Sequence, residues 1–518
     1  MNDVLTYLEE QLAPFSEVPF NAVDSALLAQ FCMARGEGVM PRMREVGAGD
    51  EAARPASDGK LAALRARLAR WRDRGAHLGR SVHRRRKRWE ADGEGVSRAG
   101  IAEPACCAGG AGSTGTAGTA GAIGPTSGAD AVGPTDGESA VVRTADFDAG
   151  ADAAAASDAA ERDRLEMAQD AQAPTEPVRF ADLMRAELFS TMFSGMHAAQ
   201  MKQQLFLMAA SPRYRDLLIY DHVAAFDEVL NMQFAATTFV CPGQFVYVGF
   251  RGTDTTLTGW REDFNMAYMV PVPAQDVAAR YLAAVAADVR VPGPIIVGGH
   301  SKGGNLAEYA ALTAAPAVQD RIAHVYNHDG PGFIPGTFSA ADYAPLAGRM
   351  TKQVPEDSMV GILMTSQMPA QVVRATGRGF EQHSVYRWEV AGGAADDRAA
   401  AESAFATLPA LPERTQRRAQ ALGQWLASMD GEGRKRTVDA LFNAVKAAGV
   451  TDAAQLFEGG HEWAILRDGV MRAPMQDRTA MLEALRGITR AFSDVTAERN
   501  NARRAHRKQP IGSGSPAR

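Results

Sequence analysis

The sequence predicts an α/β fold: a mostly parallel β-sheet with flanking helices, carrying a long low-complexity insertion and a helical C-terminal extension. Three observations lead to that expectation. Short apolar runs with β-like composition alternate with helical periodicity between about 234 and 326. A Gly-x-Ser-x-Gly turn falls at a strand-to-helix junction inside that alternation. Ahead of it, from about 98 to 175, the composition narrows almost wholly to Ala, Gly, Thr, Ser and Asp. Strands that alternate with helices must cross over to reach their neighbours, which is the grammar of a parallel sheet covered on its faces.

Each element can be justified in order. Residues 1–43 are expected to belong to the same domain as the later core: Asn21 stands where a helix cap should be, and Val23, Leu27, Leu28 and Phe31 then fall on one side of a helix. Residues 44–177 bury too little apolar surface to offset an ordering cost of roughly 1–2 kcal/mol per residue, so most of this segment is expected to lack stable structure. Within it, 60–90 is a basic amphipathic stretch. Leu61, Leu64, Leu68 and Trp71 recur at helical spacing among arginines, and Arg84, Arg85, Arg86, Lys87 and Arg88 follow as a run. That pattern suits an anionic membrane surface, a nucleic acid or an acidic partner, and a solvated helix inside a variable insertion is the competing interpretation. A specific nucleic-acid partner is not expected.

The core is expected over 178–395. It opens with a Met/Leu/Phe-rich helical region to about 210, a candidate cover for an apolar acyl pocket or simply part of the core. Strands follow at 234–241 and 244–250, joined through Pro242-Gly243, a turn pair. A helix at 274–289, a strand at 294–297, a helix at 305–314 and a strand at 322–326 complete the alternation. Residues 396–497 read as helical, with Val438, Leu441, Phe442 and Val445 on one face and a similar pattern between Met481 and Phe492. Residues 498–518, basic and Gly/Ser/Pro-rich, are expected to be a tail. No internal repeat is visible.

Composition narrows the function classes. The 518 residues are 46% hydrophobic and 22% charged with 50 glycines, and 55 Lys+Arg against 61 Asp+Glu leave a net charge of −6, which excludes a uniformly basic nucleic-acid protein. The four cysteines, Cys32, Cys106, Cys107 and Cys241, have neither disulfide-framework nor zinc spacing, consistent with a reducing compartment. The acidic N-terminus lacks the basic and apolar parts of a secretory signal, and no apolar run is long enough to span a bilayer. The protein is therefore expected in the cytoplasm, with peripheral contact at the inner membrane face through 60–90. No metal or cofactor is expected.

The chemistry centres on Gly299-His300-Ser301-Lys302-Gly303. Placed between an apolar strand and a helix, it matches a nucleophile elbow, whose flanking glycines allow a sharp strained turn against neighbouring backbone. A serine hydroxyl is a poor nucleophile at neutral pH. It needs a histidine to take its proton and a carboxylate to hold that histidine, here in the chain order Ser, acid, His. Among later histidines, His328 follows the next strand too closely to leave room for an acid and His461 lies in the helical C-terminus, whereas His383 precedes a β-like run where a loop histidine can reach back to the sheet edge, and it is the expected base. For the acid, Asp357 follows a β-like segment and precedes His383 by a loop. Asp329, which also begins an Asp-Gly turn, is the competitor, and Glu356 is a neighbouring alternative. The strand through Phe250 ends in Gly252-Thr253, where the N–H of Thr253, together with that of Lys302, suits an oxyanion hole.

Taken together, Phe250-Arg-Gly-Thr253, Trp260-Arg-Glu-Asp263, the Gly299–Gly304 elbow and Asp357-Ser-Met-Val-Gly resemble the class 3 lipase pattern. They are more similar still to a lipase-like family of bacterial α/β-hydrolases of unknown function, whose elbow also reads Gly-His-Ser-Lys-Gly-Gly-Asn. The resemblance implies an α/β-hydrolase fold over 1–43 and about 178–392. It also implies Ser301 as nucleophile, Asp357 as acid, His383 as base, Thr253 as an oxyanion donor, and Asp263 as a structural partner of the oxyanion loop. Secreted lipases usually carry an apolar residue after the serine, so Lys302 argues against long-chain triglyceride. The expected activity is hydrolysis of a small-molecule or lipid-like carboxylic ester through an acyl-enzyme. A catalytically silent scaffold that docks through its basic insertion, and an acyltransferase or thioesterase, are the alternatives.

Overall fold

The computed structural model describes residues 3–42, 174, 176–391, 404–456 and 462–508. Nearly all of the expected insertion at 44–177, including its basic stretch 60–90, lies outside them, as do His461 and the end of the tail.

A nine-stranded sheet organises the described residues, with its strands in simple chain order. Strands β1 (Val178–Arg179), β2 (Leu218–Asp227), β3 (Met232–Cys241) and β4 (Phe245–Phe250) pair antiparallel. From β4 onward β5 (Ile295–His300), β6 (Ile322–His328), β7 (Met350–Pro355) and β8 (Ala370–Val373) run parallel, and β9 (Thr407–Leu408) closes the edge antiparallel. This mixed sheet with flanking helices is consistent with an α/β-hydrolase fold. The long strand β2 was not foreseen, because its sequence Leu-Ile-Tyr-Asp-His-Val-Ala-Ala-Phe-Asp interrupts the apolar run with Asp221 and His222.

Alternation along the strands explains why the sheet needs helices on both faces. On β4, Val246, Val248 and Phe250 join one apolar cluster while Phe245 and Tyr247 join the other. On β5, Ile295 and Val297 point to the first face and Ile296 to the second. Such strands read as continuous apolar runs because both sides are covered. The first face is covered by helices from the crossovers. The second is covered largely by the N-terminal segment, through α1 (Val4–Glu10) and α2 (Ala22–Phe31), with α3 (Ala198–Ala210) beside them.

Every residue of α2 is buried, and its start is set by a reciprocal cap. The Asn21 side chain accepts from the backbone N–H of Val23 and Asp24, while the Asp24 carboxylate accepts from that of Asn21. Asp24 is held by Arg213 at 2.6 Å and by the Tyr214 hydroxyl at 2.5 Å, with both partners of the ion pair fully buried. Residues before and after the insertion are thereby tied into one core.

Two expected boundaries need correction. The region from 178 to 210 is not one long helix: short turns occupy most of 180–197, and only α3 is a sustained helix. Its Met201, Leu205 and Met208 are core residues. At the other end, the last helix runs Met475–Lys508, well into the segment 498–518 expected to be a tail. No helix among the described residues is long and apolar enough to cross a membrane.

Candidate active site

In the crossover after β4 come α4 (Leu257–Asn265) and α5 (Pro273–Ala287); β5 then ends at His300, Ser301 follows as the single residue of the turn, and α6 (Lys302–Leu312) begins at the next residue. Ser301 has φ +58° and ψ −129°, a region that non-glycine residues avoid at a cost of about 1–3 kcal/mol. The surroundings hold it there. The Ser301 N–H donates to the His328 carbonyl at 2.9 Å, and the Ser301 carbonyl accepts from the N–H of Gly304 at 2.9 Å. A Cβ at Gly299 would collide with the backbone of Gly303, and one at Gly303 with the Phe250 carbonyl, so the motif's glycines are there for close approach.

His383 ends a short 3-10 turn, Gly379–His383, and is buried. Its carbonyl accepts from Nε2 of His300, the residue before Ser301, at 2.7 Å, and the two imidazoles lie with centroids 4.6 Å apart. Burial, followed by the neighbouring His383, pushes the His300 pKa well below the ordinary histidine value, so this ring is a neutral donor. The distant loop that carries His383 is thereby anchored to the elbow itself.

The carboxylate that meets His383 is Asp329. Its Oδ2 lies 2.7 Å from His383 Nδ1, while its Oδ1 accepts from the Ser358 hydroxyl at 2.6 Å and the Gly361 N–H at 3.0 Å. With Nδ1–H donating a hydrogen bond to Asp329, the imidazole presents Nε2 as its basic nitrogen. Topology explains the placement. β6 is the immediate parallel neighbour of β5, with His300 opposite His328, so Ser301 and Asp329 leave the sheet side by side. Asp329 turns there with φ +51°, its N–H bonded to the Gln353 carbonyl at 2.8 Å.

Asp357, the expected acid, does not occupy that place. It follows β7, one strand farther from the elbow, and its carboxylate accepts from the Gly379 N–H at 2.9 Å and pairs with Arg418 at 3.0 Å. Burial raises its carboxyl pKa, but Gly379 and the guanidinium groups of Arg418 and Arg414 outweigh that and hold it below the ordinary value. Its neighbour Glu356 offers its carbonyl to the Thr415 hydroxyl at 2.6 Å. His328, set aside from the sequence, points to the α2 side, where its Nε2 meets Ser25 Oγ at 2.9 Å.

The expected oxyanion elements flank the serine. A side chain at Gly252 would come within 2.8 Å of the His300 carbonyl oxygen and 3.4 Å of Ser301 Cβ, so the strand end after β4 runs directly alongside the elbow. Neither the Thr253 N–H nor the Lys302 N–H bonds to another described residue. The Thr253 hydroxyl donates to Asp263, whose carboxyl burial pushes up to about 6. The Lys302 side chain turns the other way. Its ammonium donates to the Gln233 carbonyl at 2.7 Å, Gln233 Oε1 at 2.8 Å and Glu262 Oε2 at 3.0 Å, with both ionic side chains fully buried. Its charge is neutralised inside the fold, so Lys302 offers no argument about the acyl chain.

Glu262 and Gln233 were missed by sequence reasoning. Adjacent residues of α4 divide the work: Glu262 grips the first residue of α6, and Asp263 grips Thr253. The visible signal was the acidic pair in Trp260-Arg-Glu-Asp263, of which only Asp263 was singled out.

Comparisons with known proteins bear on this part of the chain. No curated protein matches the sequence. Among solved structures, the crystal structure of M37 lipase aligns with 15% identity and a TM-score of 0.22, covering 32% of this chain and 64% of that one, somewhat under two thirds of the lipase. The model of the Mbeg1-like family matches residues 208–443, which carry the elbow, Asp329 and His383, and that match supports a lipase-like family for this core.

Proposed function

We propose that the protein is a serine hydrolase of carboxylic esters, with Ser301 as nucleophile, His383 as general base and Asp329, in place of the expected Asp357, as the orienting acid. The observation that carries this reading is the 2.7 Å contact between His383 Nδ1 and Asp329 Oδ2 on a loop bonded to the residue before a strained serine.

In this mechanism Ser301 Oγ attacks the ester carbonyl as its proton passes to His383 Nε2, and Asp329 stabilises the imidazolium without taking the proton. The developing oxyanion accepts from the N–H groups of Thr253 and Lys302. His383 then returns the proton to the leaving alcohol, an acyl-serine remains, and water activated by the same imidazole releases the acid. A lipid-like ester is the substrate class we favour, on the family similarity alone. We also retain the anionic membrane as partner of residues 60–90, to be tested by salt-sensitive liposome binding with and without that segment.

The experiment is labelling with a fluorophosphonate probe, followed by turnover of p-nitrophenyl esters of graded chain length. The wild-type protein should label and turn over, and Ser301→Ala should lose both. A protein that is folded yet inert to the probe would overturn the proposal, and labelling that survives Ser301→Ala would remove Ser301 from its role.

A further inference from the structure

The turn after β7 touches both partners of the serine. On one side, Asp357 accepts from the Gly379 N–H at 2.9 Å and donates its own N–H to Gln382 Oε1 at 2.7 Å, so it grips both ends of the turn that presents His383. Gln382 is itself pinned, through Nε2, to the carbonyls of Ala375 at 2.9 Å and Gly377 at 3.1 Å. On the other side, the adjacent Ser358 donates its hydroxyl to Asp329 Oδ1 at 2.6 Å. Two consecutive residues therefore orient the base and the acid separately.

This turn is held from outside the sheet. Helix α7 (Glu413–Ala427) lays Arg418 against it: one guanidinium nitrogen lies 3.0 Å from Asp357 Oδ1, 3.3 Å from the Asp357 carbonyl and 3.1 Å from the Ser358 carbonyl. Thr415, one turn earlier, donates to the Glu356 carbonyl at 2.6 Å. Three successive residues of the turn are thus engaged by one helix. Arg414 stands farther off, 3.6 Å from Asp357 and half exposed. α7 is in turn backed by the last helix, Met475–Lys508, through Ala421, Trp425, Ala491 and Val495.

We propose that the C-terminal helical region is part of the catalytic apparatus, with Arg418 as a positioning residue that acts through Asp357 and Ser358 to set the orientation of His383 and Asp329. The inference rests on the hydrolase reading and extends it to a segment that contributes no reacting group. Misplacing catalytic groups by about 1 Å can cost on the order of 100-fold in rate, so the brace should act on turnover far more than on substrate binding.

The test measures fluorophosphonate labelling rates and ester kinetics in the full-length protein. Arg418→Gln should slow labelling and lower kcat about 10- to 100-fold with KM within about threefold, Arg418→Lys should recover part of the loss, and Arg414→Gln should cost less than Arg418→Gln. The double variant Arg418→Gln/Asp357→Asn should be no worse than the poorer single one, because both lie on one path. Near-UV circular dichroism and the unfolding midpoint establish that each variant is folded. If Arg418→Gln unfolds, the ratio between Arg418→Lys and wild type decides. Folded Arg418 variants that label at the wild-type rate, or losses that multiply in the double variant, overturn the inference while the hydrolase reading stands. A wild-type protein that does not label overturns both.

Discussion

Two aspartates leave the sheet after neighbouring parallel strands, and the fold uses them for different tasks. Asp329, after β6, is fully buried and meets an imidazole; Asp357, after β7, meets two arginines and a backbone N–H. Both are acids that precede His383 in the chain, so residue type and chain order are the same. What separates them is one strand of lateral distance from the elbow. The carboxylate nearest the serine takes the histidine, and the next one stiffens the loop that delivers it.

The largest effect should come from breaking the nearer carboxylate. Asp329→Asn preserves shape but removes the acceptor that selects the Nδ1–H tautomer, and comparable changes in serine hydrolases cost about 10⁴-fold in kcat. Ester turnover at saturating substrate is the measurement. Asp357→Asn should cost only about 10- to 100-fold, since it loosens a turn and leaves the dyad's contact in place. A smaller loss, several-fold in kcat, should follow Ser358→Ala, because Asp329 keeps the Gly361 N–H when the hydroxyl is gone.

The smallest effect on turnover, but a distinct one on stability, is expected at Asp263. Its carboxyl is raised by burial from 3.8 to about 6, so the folded state binds this proton more tightly than the unfolded chain. Its stabilising contribution is therefore complete below about pH 4 and is lost as the pH rises through about 6. Relative to Asp263→Asn, the wild-type protein should lose on the order of 2 kcal/mol between pH 4 and pH 7, read from paired denaturant titrations. A difference that does not change over that range would mean that the carboxyl titrates normally.

Much of the core was legible. The strand through Val246, Val248 and Phe250, the junction at Ser301 and the cap at Asn21 each depend on a few adjacent residues, and local periodicity and turn chemistry report those well. His383 could be singled out because the chemistry of serine requires a base and a loop histidine before a β-like run can reach back to the sheet edge, and the structure brings that loop against the elbow. Choosing between Asp329 and Asp357 depends on which strand lies next to β5, a long-range pairing with no local signature. The Asp-Gly turn that made Asp329 look like ordinary turn chemistry is part of what aims it, with φ +51° carrying its carboxylate toward the histidine loop. The partners of Lys302 were hidden for the same reason: Gln233 and Glu262 come from a different strand and helix, and nothing around 302 indicates that its ammonium is buried. Strand β2 was hidden because a polar pair breaks its pattern, and the polar residues of that pair are buried.

The central claim is that Asp329, and not Asp357, accepts the hydrogen bond from His383 Nδ1–H. Proton and nitrogen NMR of the imidazole tests it directly, because an N–H bound to a buried carboxylate is shielded from exchange and strongly displaced downfield. The account predicts that this His383 resonance is present in the wild type and persists in Asp357→Asn, but disappears in Asp329→Asn. A resonance that survives loss of Asp329 and vanishes with Asp357 would contradict it.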